Sequence, residues 1–120
     1  MTTGLIFWRV LILVVSYNPE SLNHRLQTLE RAGNIVIPAS TLQSCINAIF
    51  NPFHVLIIGA SVPQPDRRII AEESKKVRPD AEIISVEYPT STRLQFADLV
   101  LPARDEGKLL DAVRRLQYGK

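Results

Sequence analysis

The sequence predicts an α/β domain, a doubly wound parallel sheet of five strands flanked by helices. Short continuous apolar runs, the clearest being HVLIIGAS at residues 54–61, read as strands covered on both faces. Between them lie segments whose apolar residues recur at helical spacing, as Leu22, Leu26 and Leu29 do. The connections are too long for hairpins, so consecutive strands run parallel with the intervening helix as a crossover.

The first strand is sought within GLIFWRVLILVV, residues 4–15. That run is interrupted by Arg9, too short to span a bilayer and without a basic region ahead of it, so it reads as a buried strand preceded by an apolar extension, residues 1–8, rather than a membrane segment or leader. An arm bearing Ile6, Phe7 and Trp8 suits packing on its own core or on a twin subunit. The next segment, residues 18–33, is an amphipathic helix: Asn18 caps it, Pro19 suits its first position and Gly33 supplies the left-handed residue that ends it. NIVIPA, residues 34–39, is a short β-branched strand closed by Pro38. A second helix opens at Ser40 or Thr41, carries Leu42, Ile46, Ile49 and Phe50 inward, and stops before Pro52.

Strand three is the run at residues 54–61, followed by the loop VPQPD. A charged helix from about Asp66 to Val77 has Ile69, Ile70 and Val77 as its thin buried stripe. EIISVE, residues 82–87, is strand four and ADLVLPA, residues 97–103, strand five. Asp105 caps a last helix with Leu109, Leu110, Val113 and Leu116 inward, and residues 118–120 form a tail. Only residues 88–96 join strands four and five, and they hold Pro89 and three hydroxyl residues. One or two turns around Ser91 to Phe96, or an irregular crossover, is all that fits.

Composition bounds the function. A chain of 120 residues, 46% hydrophobic and 22% charged, is one domain able to bury a core without staples. Its formal charge of +2 gives no argument for nucleic acid. Residues 1–60 carry three Arg and two Glu, and the remaining charges lie in residues 61–120, so the first half supplies core and the second half surface. Cys45 is alone, which excludes an internal disulfide and a thiolate zinc site, suits a reducing cytoplasm and reads as a small buried hydrophobe. No GxGxxG or GxxxxGK[ST] loop is present, so neither dinucleotide nor Walker-type phosphate binding has a signal. His24 misses its helix's buried stripe and His54 precedes strand three, so no serine triad or nucleophile–base pair is assembled. Lys108, Arg114 and Arg115 alternate with Asp105, Glu106 and Asp111, a solvated face rather than a nucleic-acid stripe. The chain therefore reads as a non-enzyme with no metal and no cofactor.

The order of elements, together with VVSYNPESL at residues 14–22, PFHVLIIGASVP at 52–63, RPDAEIISVE at 78–87 and ADLVLP followed by a Leu-Leu-x-Ala-Val helix, resembles the receiver domain of bacterial two-component response regulators over residues 9–117. From Phe53 to Glu87 the spacing resembles that family's without a gap, including Pro63 in the loop and the Arg78-Pro79-Asp80 turn. The resemblance implies a flavodoxin-like sheet of order 2-1-3-4-5 with a shortened or irregular fourth crossover. It also implies a phosphorylation site of an acidic pair after strand one, an aspartate ending strand three, a Thr or Ser after strand four and a Lys after strand five. Here those positions hold Ser16 and Tyr17, Gly59, Glu87, and Ala103, and the family's moving aromatic corresponds to Val100. Asp66 lies in the loop after strand three but matches a position outside that quintet.

An aspartyl phosphate needs a carboxylate nucleophile, which glycine lacks, and a lone Glu87 is a poor magnesium site. Without the acidic pair and the Lys, nothing neutralises a transferring phosphoryl group. The resemblance thus implies a pseudo-receiver, incompetent for phosphorylation and acting by protein–protein contact in a two-component or phosphorelay setting. Its candidate surface is the last helix, the strand-five edge and the apolar arm, the arm also suiting a homodimer. The chain suits a stand-alone adaptor or a piece of a larger regulator. The alternative is a small polar ligand in the crevice beyond the strand ends, where Ser16, Tyr17, Gly59, Ser61, Glu87 and Arg104 would line it.

Overall fold

A computed structural model describes residues 10–89, 94–103 and 106–118. Five parallel strands alternate with helices in the order β1 (Leu11–Val15), α1 (Pro19–Arg31), β2 (Ile35–Ala39), α2 (Leu42–Ala48), β3 (Val55–Ile58), α3 (Gln64–Val77), β4 (Glu82–Glu87), β5 (Leu99–Pro102) and α4 (Glu106–Tyr118). The sheet order is β2-β1-β3-β4-β5, every neighbouring pair parallel, as in a flavodoxin-like fold.

Strand alternation divides the core in two. Leu13, Val15, Leu56, Ile58 and Ile83 point to one face and pack with Cys45, Ala48 and Ile49 of α2 and Ile70 and Ala71 of α3. Ile12, Val14, Val55, Ile57, Ile84, Val86 and Leu101 point to the other and pack with Leu22 and Leu29 of α1 and Leu109, Ala112 and Val113 of α4. Right-handed crossovers require this sorting, because a connection leading left of β1 and one leading right of it fall on opposite faces. Pro38, which has no amide proton, sits in β2, an edge strand, where one side of the ladder is open.

The helix ends follow their sequence signals. The Asn18 side chain accepts from the Ser21 amide at 3.0 Å, Pro19 begins α1, and Gly33 has φ of +94° just beyond it. Thr41 and Ser44 form a reciprocal capping box on α2, each side chain accepting from the other's backbone amide.

Several boundaries and faces differ from the sequence expectations. β3 ends at Ile58 and β5 spans Leu99–Pro102, both shorter than their apolar runs, because pairing stops where the chain turns off the sheet. α2 closes at Ala48, so Phe50 is not on its buried stripe but 67% exposed, and Phe53 fills the core in its place. α3 starts at Gln64, two residues early, since Pro65 fits the first turn of a helix. Its inward stripe is Arg67, Ile70, Ala71 and Ser74, with Val77 half-buried against the same core, so Ile70 and Val77 face inward as expected while Ile69 is exposed. Between β4 and β5 the described residues 94–98 form a turn with Leu94 buried and no helix. The arm 1–9, Ser91, Arg104, Asp105 and the last two residues of the tail lie outside the described residues. Among the described residues no helix is long and apolar enough to cross a membrane.

Two outcomes follow from this packing. Ile70→Ala is expected to lower stability by about 2–5 kcal/mol in urea unfolding, and Ile69→Ala by no more than about 0.5 kcal/mol. Burial also pushes the Cys45 thiol from 9.0 up to about 12. A raised acid contributes stability that is complete below its unfolded value and is lost as pH climbs toward the folded one. Unfolding free energy should therefore fall between pH 9 and 12, and Cys45→Ala should make that decline shallower by about 1.4 kcal/mol per pH unit.

Candidate functional site

The strand order reverses at β1, with β2 on one side of it and β3 on the other, and the crevice beyond β1 and β3 is where open parallel sheets place ligands. Register aligns the strand ends there: Val15 pairs with Ile58, Ile58 with Ser85 and Glu87 with Pro102. Ser16, Gly59, Tyr88 and Ala103 are thus the first residues to leave the sheet on one rim.

Gly59 stands at the centre of the rim. Its amide donates to the Val15 carbonyl at 2.8 Å and its own carbonyl accepts from Arg67 Nη1 at 2.6 Å. Alternation past Ile57 and Ile58 would aim a side chain at position 59 toward the α1 face. A Cβ built there would lie 3.0 Å from the Val15 carbonyl oxygen, 3.2 Å from Arg25 Nη1 and 3.4 Å from Ser16 Cβ. The φ of Gly59 is ordinary, and a side chain here would make a tight contact that its neighbours must accommodate by a few tenths of an ångström.

Two buried arginines flank it, and neither was singled out in the sequence. Arg25, 5% exposed, lies on the inward stripe of α1 between Leu22 and Leu29. Arg67, 4% exposed, takes the same kind of place on α3, one turn before Ile70 and Ala71. The available signal was positional: a charged residue three before or after a buried one on a helical stripe must face the interior.

Arg67 is compensated on every side. Its guanidinium also donates to the Val86 carbonyl at 3.0 Å and to the Ser85 hydroxyl, and lies 3.9 Å from Glu87 Oε2. Ser85 Oγ in turn donates to Glu87 Oε2 at 2.6 Å, and the Leu94 amide donates to the same oxygen at 3.0 Å. Desolvation pulls the Arg67 pKa below its ordinary value, and the Glu87 carboxylate opposes that shift. Glu87 therefore points inward and anchors the β4–β5 connection rather than facing the crevice.

Tyr17 turns to the opposite face of the sheet, packing beside Cys45, and its hydroxyl donates to Asp66 Oδ2 at 2.8 Å. Burial, followed by that bond and the Asp66 charge, raises the phenol's pKa. Ser61 Oγ accepts from the Tyr17 amide at 2.9 Å and shares a 3.2 Å hydrogen bond with Ser16 Oγ, tying the β1 exit to the β3 exit.

On the α1 side of these serines lies a cleft of about 190 Å³, with Ser16, Asn18, Ser21 and Arg25 on one wall and Ala60, Ser61, Tyr88 and Ala103 on the other. Of the expected crevice residues, Ser16 and Ser61 are brought together on it, while Tyr17, Gly59 and Glu87 do not line it and Arg104 lies outside the described residues. Ala103 lines it as well, and Val100 is half-buried within β5. His24 is exposed on α1, and His54 sits at the other end of the strands, its Nδ1 accepting from the Leu11 amide at 3.0 Å. Among the described residues no three His, Cys, Asp or Glu side chains cluster as metal ligands.

Removing one member of the Arg67 network strands the other. Arg67→Ala is expected to cost about 3–5 kcal/mol because Glu87 stays buried without its cation, and Arg67→Met with Glu87→Gln should recover a measurable part of that in urea unfolding.

No protein-family model matches the chain, and no curated protein matches it. Solved structures do. The chain superposes on a CheY-like response regulator receiver domain protein from Methanospirillum hungatei with a TM-score of 0.79 and 22% identity, covering 92% of this chain and 94% of that one. The non-phosphorylated HemR receiver domain from Leptospira biflexa gives 0.78 and 17%, covering 92% and 95%. The response regulator TrrA from Thermotoga maritima, in complex with Mg2+ and BeF, gives 0.76 and 21%, covering 89% and 98%. At such identities the likeness is one of fold, the receiver fold of two-component response regulators.

Proposed function

We propose that this chain is a receiver-like signalling domain that accepts no phosphoryl group on β3 and acts through contact with another protein. The observation that carries the reading is Gly59 at the end of β3, where the receiver resemblance calls for a nucleophilic aspartate, with a backbone oxygen and Arg25 crowding the place a side chain would take. Ser16 and Tyr17 offer no carboxylate pair after β1, and Ala103 offers no ammonium after β5. Phosphoryl transfer depends on a nucleophile, on cations that neutralise the transferring oxygens and on their alignment, and each of these requirements is unmet by the residues at these positions.

Phosphate-driven switching has a matching requirement. Moving a two-state equilibrium from 1:99 to 99:1 takes about 5.5 kcal/mol of differential binding. The residues that would respond to a phosphoryl group are here committed elsewhere, Glu87 to Arg67, Ser85 and Leu94. A fixed conformation suits a module read by a partner as it stands. The partner surface we assign is α4 with the outer edge of β5, which pairs only with β4 and carries half-buried Leu99 and Val100 beside the exposed Phe96. The lone buried Cys45 suits a reducing cytoplasm.

A second reading, a small polar ligand in the crevice, is favoured by the cleft that Arg25, Ser16 and Ser61 line.

Incubation with acetyl phosphate and magnesium should leave the intact mass unchanged and add no acid-labile phosphate; stoichiometric labelling overturns the reading. Gly59→Asp should also remain unlabelled and lose about 1–3 kcal/mol of stability, because its Cβ falls 3.0 Å from the Val15 carbonyl oxygen and 3.2 Å from Arg25 Nη1, and both must shift to admit it.

A further inference from the structure

We propose that the outer edge of β2 is the seam of a homodimer, in which two copies of the chain pair their β2 strands antiparallel across a two-fold axis at Val36. This stands apart from the phosphorylation reading, and it leaves the β5 edge to a different partner. The first support is the composition of the edge. No Asp, Glu, Lys or Arg occurs from Ala32 to Phe53, a stretch that holds β2, α2 and the turn between them. Edge strands that face water are ordinarily guarded by charge, lysine above all. Here the strand instead shows Ile35 at 42% exposure with Val36 and Ile37 half-buried, and Phe50 stands exposed beyond the end of α2. Charge depletion together with apolar and aromatic side chains is the composition of an interface core.

The second support is the direction of the backbone groups. The Ile35 amide donates to the Val10 carbonyl at 3.1 Å and the Ser16 amide to the Ala39 carbonyl at 3.0 Å, so Ile35, Ile37 and Ala39 turn their peptide groups to β1. Val36 and Pro38 turn theirs outward. Pro38 has no amide proton, which leaves Val36 as the amide donor that β2 points away from the sheet. A second copy laid antiparallel with Val36 opposite Val36 is self-complementary: each Val36 amide donates to the other's Val36 carbonyl. Pro38 then comes opposite Asn34, whose amide is already spent on the Leu29 carbonyl at 3.2 Å, so the pairing strands no donor at either position. The ladder is limited to one reciprocal pair, and that pair fixes the register.

The side chains agree with this register. Ile37 and Ala39 belong to the core on the α2 face and Val36 to the core on the α1 face. Antiparallel pairing at Val36 sets each exposed Ile35 against the copy's Ile37 on the α2 face and Val36 against Val36 on the other, and directly opposed β-branched residues are favourable pairs. With no charge on the stretch, the repulsion that keeps many edges from meeting their own copy is absent. Five residues of strand do not supply the ~1,000 Å² of a stable interface. Both α1 and α2 pack on β2, so the same axis brings like helices of the two copies side by side on each face of a continuous sheet. The contact is isologous and closes on itself, giving a dimer and no filament.

The test is sedimentation equilibrium of the full chain from micromolar to millimolar concentration, with amide hydrogen exchange followed by NMR. A reversible dimer is expected, with protection of the Val36 amide that rises with concentration. Ile35→Lys changes an exposed residue and removes both Ile35–Ile37 pairs, and should raise the dissociation constant roughly tenfold or more. Val36→Pro deletes the outward donor without touching a bond to β1 and should leave a monomer; if that variant does not fold, Ile35→Lys decides alone. A chain that stays monomeric up to millimolar concentration overturns the proposal. So does a dimer whose dissociation constant is unchanged in Ile35→Lys or in a folded Val36→Pro. Val36 protection that does not depend on concentration gives the edge to a segment of the same chain and overturns the second copy as its occupant.

Discussion

Taking a guanidinium out of water costs several kcal/mol unless acceptors replace the lost solvent, and the crevice end of this molecule is organised around that requirement at Arg67. The side chain enters from α3 and takes acceptors from the exit of β3, from β4 and from Glu87. Because Gly59 follows β3 while Val86 and Glu87 end β4, satisfying one cation from α3 fixes the relative positions of two strand ends and a helix. Glu87 extends the effect by holding the Leu94 amide, so the chain entering β5 is anchored through a carboxylate.

Gly59 and Arg25 form the complementary half. On the α2 and α3 face the rim is filled, by Tyr17 against Cys45 and by the Tyr17–Asp66 hydrogen bond. On the α1 face the absence of a side chain at position 59 leaves room, and Arg25 reaches into it. The cleft on that face takes its guanidinium, Arg25, from α1. Any shift of β4 would break the Arg67 and Glu87 contacts together.

The likeness to receiver domains is accordingly one of scaffold. Parallel strands of order 2-1-3-4-5 bring the same loops together whatever residues they carry, so the fold locates the crevice without specifying its chemistry. In this chain Ser16, Arg25 and Ser61 give the crevice a polar lining.

Sequence alone was sufficient for the element order, the helix caps and the doubly covered sheet, because those follow from local rules: apolar periodicity, Asn18, Pro19 and Gly33 at a helix's ends, Thr41 at another's, and crossovers too long for hairpins. It also placed Ser16, Gly59, Glu87 and Ala103 at strand exits, since a strand's end is read from its own residues. It misjudged Phe50 and Ile69, whose fate depends on how far a helix runs and how it is rotated against the sheet. The two buried arginines and the inward turn of Glu87 were decided only in three dimensions. A charged side chain is tolerated inside when partners distant in the chain converge on it, Arg67 from α3 meeting Glu87 from β4, and no local pattern records which distant groups will meet.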